Sequence, residues 1–544
     1  METKPNNLPF HQWVPRPVGI VVLLLMFVPP TFSGGAYLCN IGEMSGALGV
    51  WTEDIQLASM FTSIGMCLFP PFMVKFLQAR RIRQTYLWGF ALLIPLNYIC
   101  AVTTSVPLLL GACLLTGLVR IVVMLNCIFT IAPYLTGMDT LAMLTMKQTP
   151  PAEVQYGLER KRTFLMPVLY GFILLVSQSS NLVTSWFAYH YRWQYAYYVV
   201  IAMLLAAITL VAVTMPSQKR TVTYHMEWHK VPAMVLMATA LCSMTYMLVY
   251  GKTLDWLYAP SIRWALVLML ASGAAFVVLM LRQGAESYLP PEAFRYRNVW
   301  MSLALFLVTM VFNSANMMVG TFAKLTTPIN NMQSAWLSGW AIVGCLLGLL
   351  GALALIVRRV RFGTIFCVAF LLMALSDAYL YFQYQTMGLF SHMILPTVLN
   401  YMGLLMLYSV VAAFGMKRLP AHLLATFVFL MIWSRNAIAP AIGSSLYANW
   451  LNQRQQYHIV MLAETVDSQN HIAQATFTQT QKAGQAKGLS TTESQQLATM
   501  SLKQRIAKQA TIVAMKDISG HTAILLLVTA MLSLLLPYYK GETT

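Results

Sequence analysis

Apolar residues come along this chain in blocks of about 20, separated by short polar connectors. A block of that length with few charges crosses a ~30 Å hydrocarbon layer as a helix. The pattern predicts about fourteen such spans, from 17–41 and 54–77 at one end to 420–448 and 521–539 at the other. Pro29, Pro30, Gly34 and Gly35 interrupt the first block, and Pro70 and Pro71 fall late in the second. Broken helices are expected where backbone lines a cavity, because an opened N–H or C=O facing lipid has no partner.

The connectors sort by charge. Lys75, Arg80, Arg81 and Arg83 follow the second block, and Lys147, Arg160, Lys161 and Arg162 follow the fourth. Lys219, Arg220 and Lys230 follow the sixth, Arg282, Arg295 and Arg297 the eighth, Arg358, Arg359 and Arg361 the tenth, and Lys417 and Arg418 the twelfth. The connectors after the first, third and eleventh blocks carry no Lys or Arg. Basic short loops stay in the cytoplasm, so the expected topology has both termini there, in the inner membrane of a bacterial cell. One connector on the other side is long. Residues 449–520 are rich in Gln, Ala and Thr, with a helix-forming stretch at 490–516. They read either as a solvated loop or as a docking surface for a periplasmic partner.

Composition agrees with lipid as the solvent. Only 10% of residues are charged, against ~25% in soluble domains. The net charge of +18 is spread over the connectors and not gathered on one domain face, which argues against nucleic acid. The 8 cysteines lie in or beside apolar blocks with no CxxC pair, so they read as small core residues and not as metal ligands. No GxxxxGK[ST], HExxH or GxSxG motif is present. The expectation is a transporter and not an enzyme, with no cofactor, no metal and no ATP site.

Four local motifs carry a family resemblance. They are Tyr191-Arg192-Trp193-Gln194-Tyr195, Gly251-Lys252-Thr253-Leu254-Asp255-Trp256, Phe294-Arg295-Tyr296-Arg297-Asn298, and Ser434-Arg435-Asn436 through Gly443 with Asn452, Arg454 and His458. Their order and spacing resemble the fourteen-span drug:proton antiporters of the EmrB/QacA type within the major facilitator superfamily. The resemblance implies an all-α fold of two pseudo-symmetric six-helix bundles, 1–215 and 291–544, with two helices inserted at 216–290. It also implies alternating access around a central cavity. The departures are Ser33 where that family has Asp, Gln78 where it has Asp in the loop Val74–Arg83, and Ser180 to Ser185 in place of its glycine-rich span-five motif.

Ionisable residues inside spans cost roughly 2.5–3.5 kcal/mol each to insert, so each asks for a role. Arg120 falls deep in the fourth span, where a cation either faces a cavity or bonds backbone carbonyls. Asp377, in the eleventh, is the one acid clearly inside a span, and reads as a proton carrier or a hydrogen-bonded structural acid. Glu43, Glu53 and Asp54 flank the first external turn, as a proton entry site or as solvated acids. The amides Asn126, Gln178, Asn181, Asn313 and Asn316 are placed to bind substrate or to bond between helices. Arg435 is expected to pack between helices. The expected function is proton-coupled export of amphipathic small molecules, with a periplasmic membrane-fusion adaptor and an outer-membrane channel as partners. A specific metabolite, siderophore or lipid transporter, and a non-transporting sensor or scaffold, are the alternatives.

Overall fold

The computed structural model describes residues 9–73, 75–76, 81–136, 152–217, 227–326, 331–386, 388–417, 419–420, 423–466 and 470–536. Arg80, Gln78, Lys147, Lys219, Arg220 and Arg418 lie outside them.

The first bundle holds α1 (Arg16–Phe32), α2 (Ile41–Leu48), α3 (Thr52–Leu68), α4 (Ile82–Val102), α5 (Val106–Thr136), α6 (Ala152–His190) and α7 (Tyr195–Thr214). A hairpin of α8 (Val231–Tyr250) and α9 (Pro260–Gln283) follows. The second bundle opens with α10 (Arg297–Asn313), α11 (Met317–Thr326), α12 (Asn331–Val357), α13 (Phe362–Gln383) and α14 (Ile394–Met416). It closes with α15 (Leu424–Trp433), α16 (Ala439–Glu464), α17 (His471–Ala486) and α18 (Thr491–Ser533). Among the described residues 13 helices are long and apolar enough to cross a membrane, and Arg16–Phe32 is a shorter apolar helix. The chain is a multi-pass membrane protein.

The first span ends at Phe32, not near 41. Pro29 and Pro30 have no N–H to continue the ladder, and Gly35 takes a left-handed φ of 72°. The break is held by side chains: the Tyr37 hydroxyl donates to Phe32 O at 2.8 Å and that of Tyr197 to Gly35 O at 2.6 Å. Span two stops at Leu68 for the same reason, passing into a 3-10 turn at Pro70–Phe72.

Lipid and protein interior are equally apolar, so helix association depends on close packing and not on segregation from water. Gly65 of α3 lies against the backbone of Leu114 in α5, and Gly117 of α5 against the backbone of Thr62 in α3. A Cβ at either position would enter the opposing main chain. The two bundles meet where α6 lies along α12 and α14, and where α3 touches α15 and the turn after it.

Up-and-down connectivity brings the connectors after the second, sixth, eighth and twelfth spans to one end, and cross-links hold that end together. Arg83 donates to Ala212 O at 3.3 Å, Tyr288 to Leu68 O at 2.7 Å, and Asn298 to Lys417 O at 3.2 Å. At the opposite end α16 and α18 run on as helices through most of residues 449–520. α17 starts under an Asn470 cap that accepts from Ile472 and Ala473, and α18 starts with a Ser490–Glu493 capping box. At 43 residues, α18 is about 65 Å long, roughly twice the hydrocarbon thickness.

Candidate functional site

The site forms where the two bundles face each other. α15 does not pass directly into α16. Ser434–Ile438 form a π turn between them, a feature concentrated at functional sites because its extra residue re-aims a side chain. The side chain re-aimed here is Arg435. Its guanidinium stands 4.8 Å over the ring of Tyr408, from α14, and 5.6 Å from that of Tyr170, from α6 of the other bundle. The two rings are 6.0 Å apart. Tyr408 is fixed from behind, donating to Met310 Sδ at 2.9 Å with Phe306 edge-on at 5.5 Å.

Arg120 approaches the same space from α5. Its Nη1 donates to Ser33 O at 3.4 Å, across the break after α1, and its Nε is buried without a partner. Asn97 fixes that break by donating to Ser33 Oγ at 3.2 Å. Arg120 and Arg435 are close enough to feel each other's charge, and Tyr37 lies close to Arg120. Among the described residues neither guanidinium forms an ion pair. Two cations from opposite bundles, without an acidic partner among the described residues and bordered by tyrosines, form an arrangement able to hold an anion.

The amides divide. Gln178 and Asn316 lie beside the Tyr401 hydroxyl, bringing α6, the α10–α11 junction and α14 together. Asn313 Oδ1 accepts from Asn400 Nδ2 at 3.2 Å, and a cavity of about 150 Å³ lined by Asn316, Thr397 and Tyr401 lies alongside. Asn126 is fully buried in α5. The Asn181 backbone carbonyl accepts from Thr184 Oγ1 at 3.3 Å.

The acids go elsewhere. Asp54 accepts from the Tyr250 hydroxyl and from Trp51 N at 2.9 Å, and Glu53 accepts from Thr253 Oγ1 at 2.9 Å. Both therefore serve the turn between α8 and α9. In that turn Asp255 and Trp256 each have a φ of 53°, and Gly251 admits the Trp256 ring against its Cα. Lys252 lies near Glu53. Trp256 Nε1 then reaches Asn449 Oδ1 of α16 at 3.2 Å. One turn thus ties the mouth of the first bundle to that of the second, beside a 480 Å³ cleft lined by Trp51, Asp54 and Tyr250. Glu43 sits half-buried on α2, and Asp377 is buried in α13, away from Arg120 and Arg435.

The remaining motif residues shape backbone. Exposed Arg192 and buried Trp193 form the tight turn into α7, with Trp193 edge-on to Tyr197 at 6.0 Å. Asn436 lies in the π turn, and Gly443 lets α16 approach Ser314 and Val311. Sequence reasoning missed Tyr37, Tyr170, Tyr401 and Tyr408. Tyr401 and Tyr408 are seven residues apart, two turns along one helix face. That aromatic-polar stripe within a span was a readable signal.

No family profile and no curated relative matches the chain. Solved structures do. The chain is similar to a peptide transporter POT in complex with sulfate, at a TM-score of 0.57 and 14% identity over 97% of each chain. It is similar to a structure described for substrate recognition in proton dependent oligopeptide transporters, at a TM-score of 0.53 and 12% identity, covering 95% of this chain and 97% of that one. A POT family transporter in complex with 5-aminolevulinic acid gives a TM-score of 0.52 at 14% identity, covering 95% and 96%. These neighbours are peptide transporters, and they overturn the assignment to the drug:proton antiporter family. The four motifs misled because each builds a turn: a tight reversal, a left-handed corner, a 3-10 entry and a π turn. Such corners serve any chain of this architecture. Identities this low establish architecture alone, and that architecture is the major facilitator fold of two six-helix bundles with an inserted helical hairpin.

Proposed function

We propose that this chain is a secondary transporter that moves small amphipathic molecules bearing an anionic group through alternating access. The observation that carries the reading is the pair Arg120 and Arg435. They come from opposite bundles, lie within electrostatic range of each other, lack carboxylate partners among the described residues and are bordered by Tyr37, Tyr170 and Tyr408. Rocking one bundle against the other closes two guanidiniums around a carboxylate or opens them. The rings supply an apolar, polarisable wall for the rest of the molecule. Short peptides belong to this class, in keeping with what the structural neighbours are said to carry. Proton coupling, a bacterial inner membrane and cytoplasmic termini complete the reading.

The test is solute counterflow in proteoliposomes, with fluorescein as the anionic probe and ethidium as the cationic one. Fluorescein exchange that trialanine inhibits supports the reading, as does its loss in Arg435→Gln. Preference for ethidium over fluorescein would refute it.

A second reading concerns the partner and direction. The helices of residues 449–520 form a projection, with α17 packed along α18. A periplasmic adaptor seated there favours export. Deleting residues 470–510 then abolishes efflux from cells while counterflow in liposomes survives. Efflux that survives the deletion would remove the adaptor.

A further inference from the structure

Away from the central site, the second bundle contains a buried polar pocket that anion transport does not use. Asp377 of α13 is 9% exposed and has no hydrogen bond or ion pair among the described residues. Around it stand hydroxyls from three elements. Tyr384, capping the end of α13, and Tyr447 of α16 both lie within electrostatic range of the carboxyl. Tyr447 shares a 3.2 Å hydrogen bond with Thr522 of α18. The Tyr384 hydroxyl is buried, with the Ser519 hydroxyl of α18 as its polar neighbour. A buried acid with no partner among the described residues, ringed by hydroxyls, is what a mechanism retains and a passive core replaces.

A partly exposed titratable pair lies nearby on α16 and α18. About one helical turn further along α18, Asp517 pairs with His458 of α16 at 2.8 Å, and both side chains are partly exposed. Ser519, beside Tyr384, lies two residues from Asp517, so the partly exposed pair and the buried cluster share one stretch of α18. Other charged groups on the packed elements are Arg454 and Glu464 of α16 and, toward the start of α18, Glu493, Lys503, Arg505 and Lys508. α18 also presents Lys516, 5.0 Å over the Tyr381 ring, and His521, bonded to Asp517 O at 2.6 Å. The turn before α14 carries His392, and α11 carries Lys324 near its end. Tyr401 and Tyr408 of α14 are engaged at the central site.

We propose that Asp377 is the protonation site that couples this transporter to a pH gradient, receiving its proton by way of the His458–Asp517 pair and lying outside the substrate cavity. An ionised carboxylate with no partner at this depth costs several kcal/mol. Each passage of Asp377 through its charged form must therefore coincide with a rearrangement that brings water or a cation to it. α13, α14, α16 and α18 all belong to the second bundle, and α14 and the start of α16 also shape the central site. Loading or unloading one proton on the Asp377 carboxylate, with no other bond made or broken, thereby biases how that bundle sits against the first.

The inference rests on the transport reading, and two measurements separate their failures. Infrared spectra of the protein in nanodiscs, titrated with pH, report the protonated carboxyl C=O stretch whether or not any solute is transported. The wild type is expected to show such a band that fades as pH rises, and Asp377→Asn to lack it. A spectrum in which Asp377→Asn retains every titrating carboxyl band overturns the proposal. In proteoliposomes, Asp377→Asn is expected to keep fluorescein counterflow but lose accumulation driven by a pH gradient, with Asp377→Glu recovering part of it. Accumulation that persists in Asp377→Asn overturns coupling at this residue. Absence of wild-type counterflow instead counts against the transport reading, while the infrared band still decides the protonation site.

Discussion

Replacing Arg120 with Gln removes one of two cations while keeping much of the side-chain length and hydrogen-bonding capacity. In the wild type, Nη1 makes only a long 3.4 Å bond to Ser33 O, and Nε makes none. Much of the guanidinium is therefore free for a ligand. A hydrogen bond to a charged group contributes ~1.5–3 kcal/mol. At ~1.4 kcal/mol per tenfold, half-saturation of fluorescein counterflow is expected to rise about 10- to 100-fold. The methyl ester of fluorescein, with no carboxylate to lose, is expected to respond little. Arg120→Lys keeps the charge but not the planar fork, so it is expected to fall between wild type and Arg120→Gln. A thermal melt separates binding from structure. Because Arg435 repels Arg120, neutralising Arg120 is expected to leave the Tm unchanged or higher. Equal weakening of acid and ester would refute the anion-site reasoning. So would a sharp fall in Tm, which would make Arg120 a structural cation held by the Ser33 carbonyl.

Two further outcomes test other parts of the architecture. Trp256→Phe keeps an aromatic ring but removes the donor to Asn449. It is expected to loosen the tie between the bundles by about 1 kcal/mol, seen as faster labelling of a cysteine introduced at exposed Gln453, one turn along α16 from Asn449, or as a shifted distance distribution between the two mouths. Labelling at the wild-type rate would mean that the turn is not a latch. At the basic end, Glu227 is partly desolvated, which raises its pKa, but hydrogen bonds from Lys75 at 2.6 Å and Lys230 at 3.1 Å leave it below the usual value. Its stabilisation is therefore present above the ordinary glutamate range and is lost as pH falls through the lowered value. Glu227→Gln is expected to cost ~0.2–1 kcal/mol at neutral pH, since Lys75 is largely exposed. The difference from wild type should close in acid, and a pH-independent difference in denaturation midpoint would refute the ion-pair account.

Sequence and structure agree best where a property is local. Hydropathy located the helices because transfer from water to lipid depends on each segment's own side chains. It failed at Phe32 and Leu68, where proline and glycine stop the helix before the apolar run ends. Residues 449–520 carry no strong apolar face, yet Asn470 and Ser490 caps and packing of Gly484 against Ser494 build helices there. The family assignment failed because turn motifs record backbone corners and not lineage. Glu53 and Asp54 read as a proton entry site or as solvated acids, and their bonds to the α8–α9 turn were not legible, since Tyr250 and Thr253 arrive from about 200 residues away.

By itself the sequence determined that the chain lives in lipid, roughly where it crosses, and that its basic connectors share one end. Only the tertiary structure decided that Arg120 meets the Ser33 carbonyl and faces Arg435, that Tyr170 and Tyr408 wall the space between them, and that Asp377 lies apart in a pocket of hydroxyls. The reason is that lipid and protein interior are alike to an apolar side chain, so no contrast between polar and apolar faces marks which side of a span turns inward. That choice falls to close contacts between helices distant in sequence, such as Gly65 and Gly117, and to the π turn that aims Arg435.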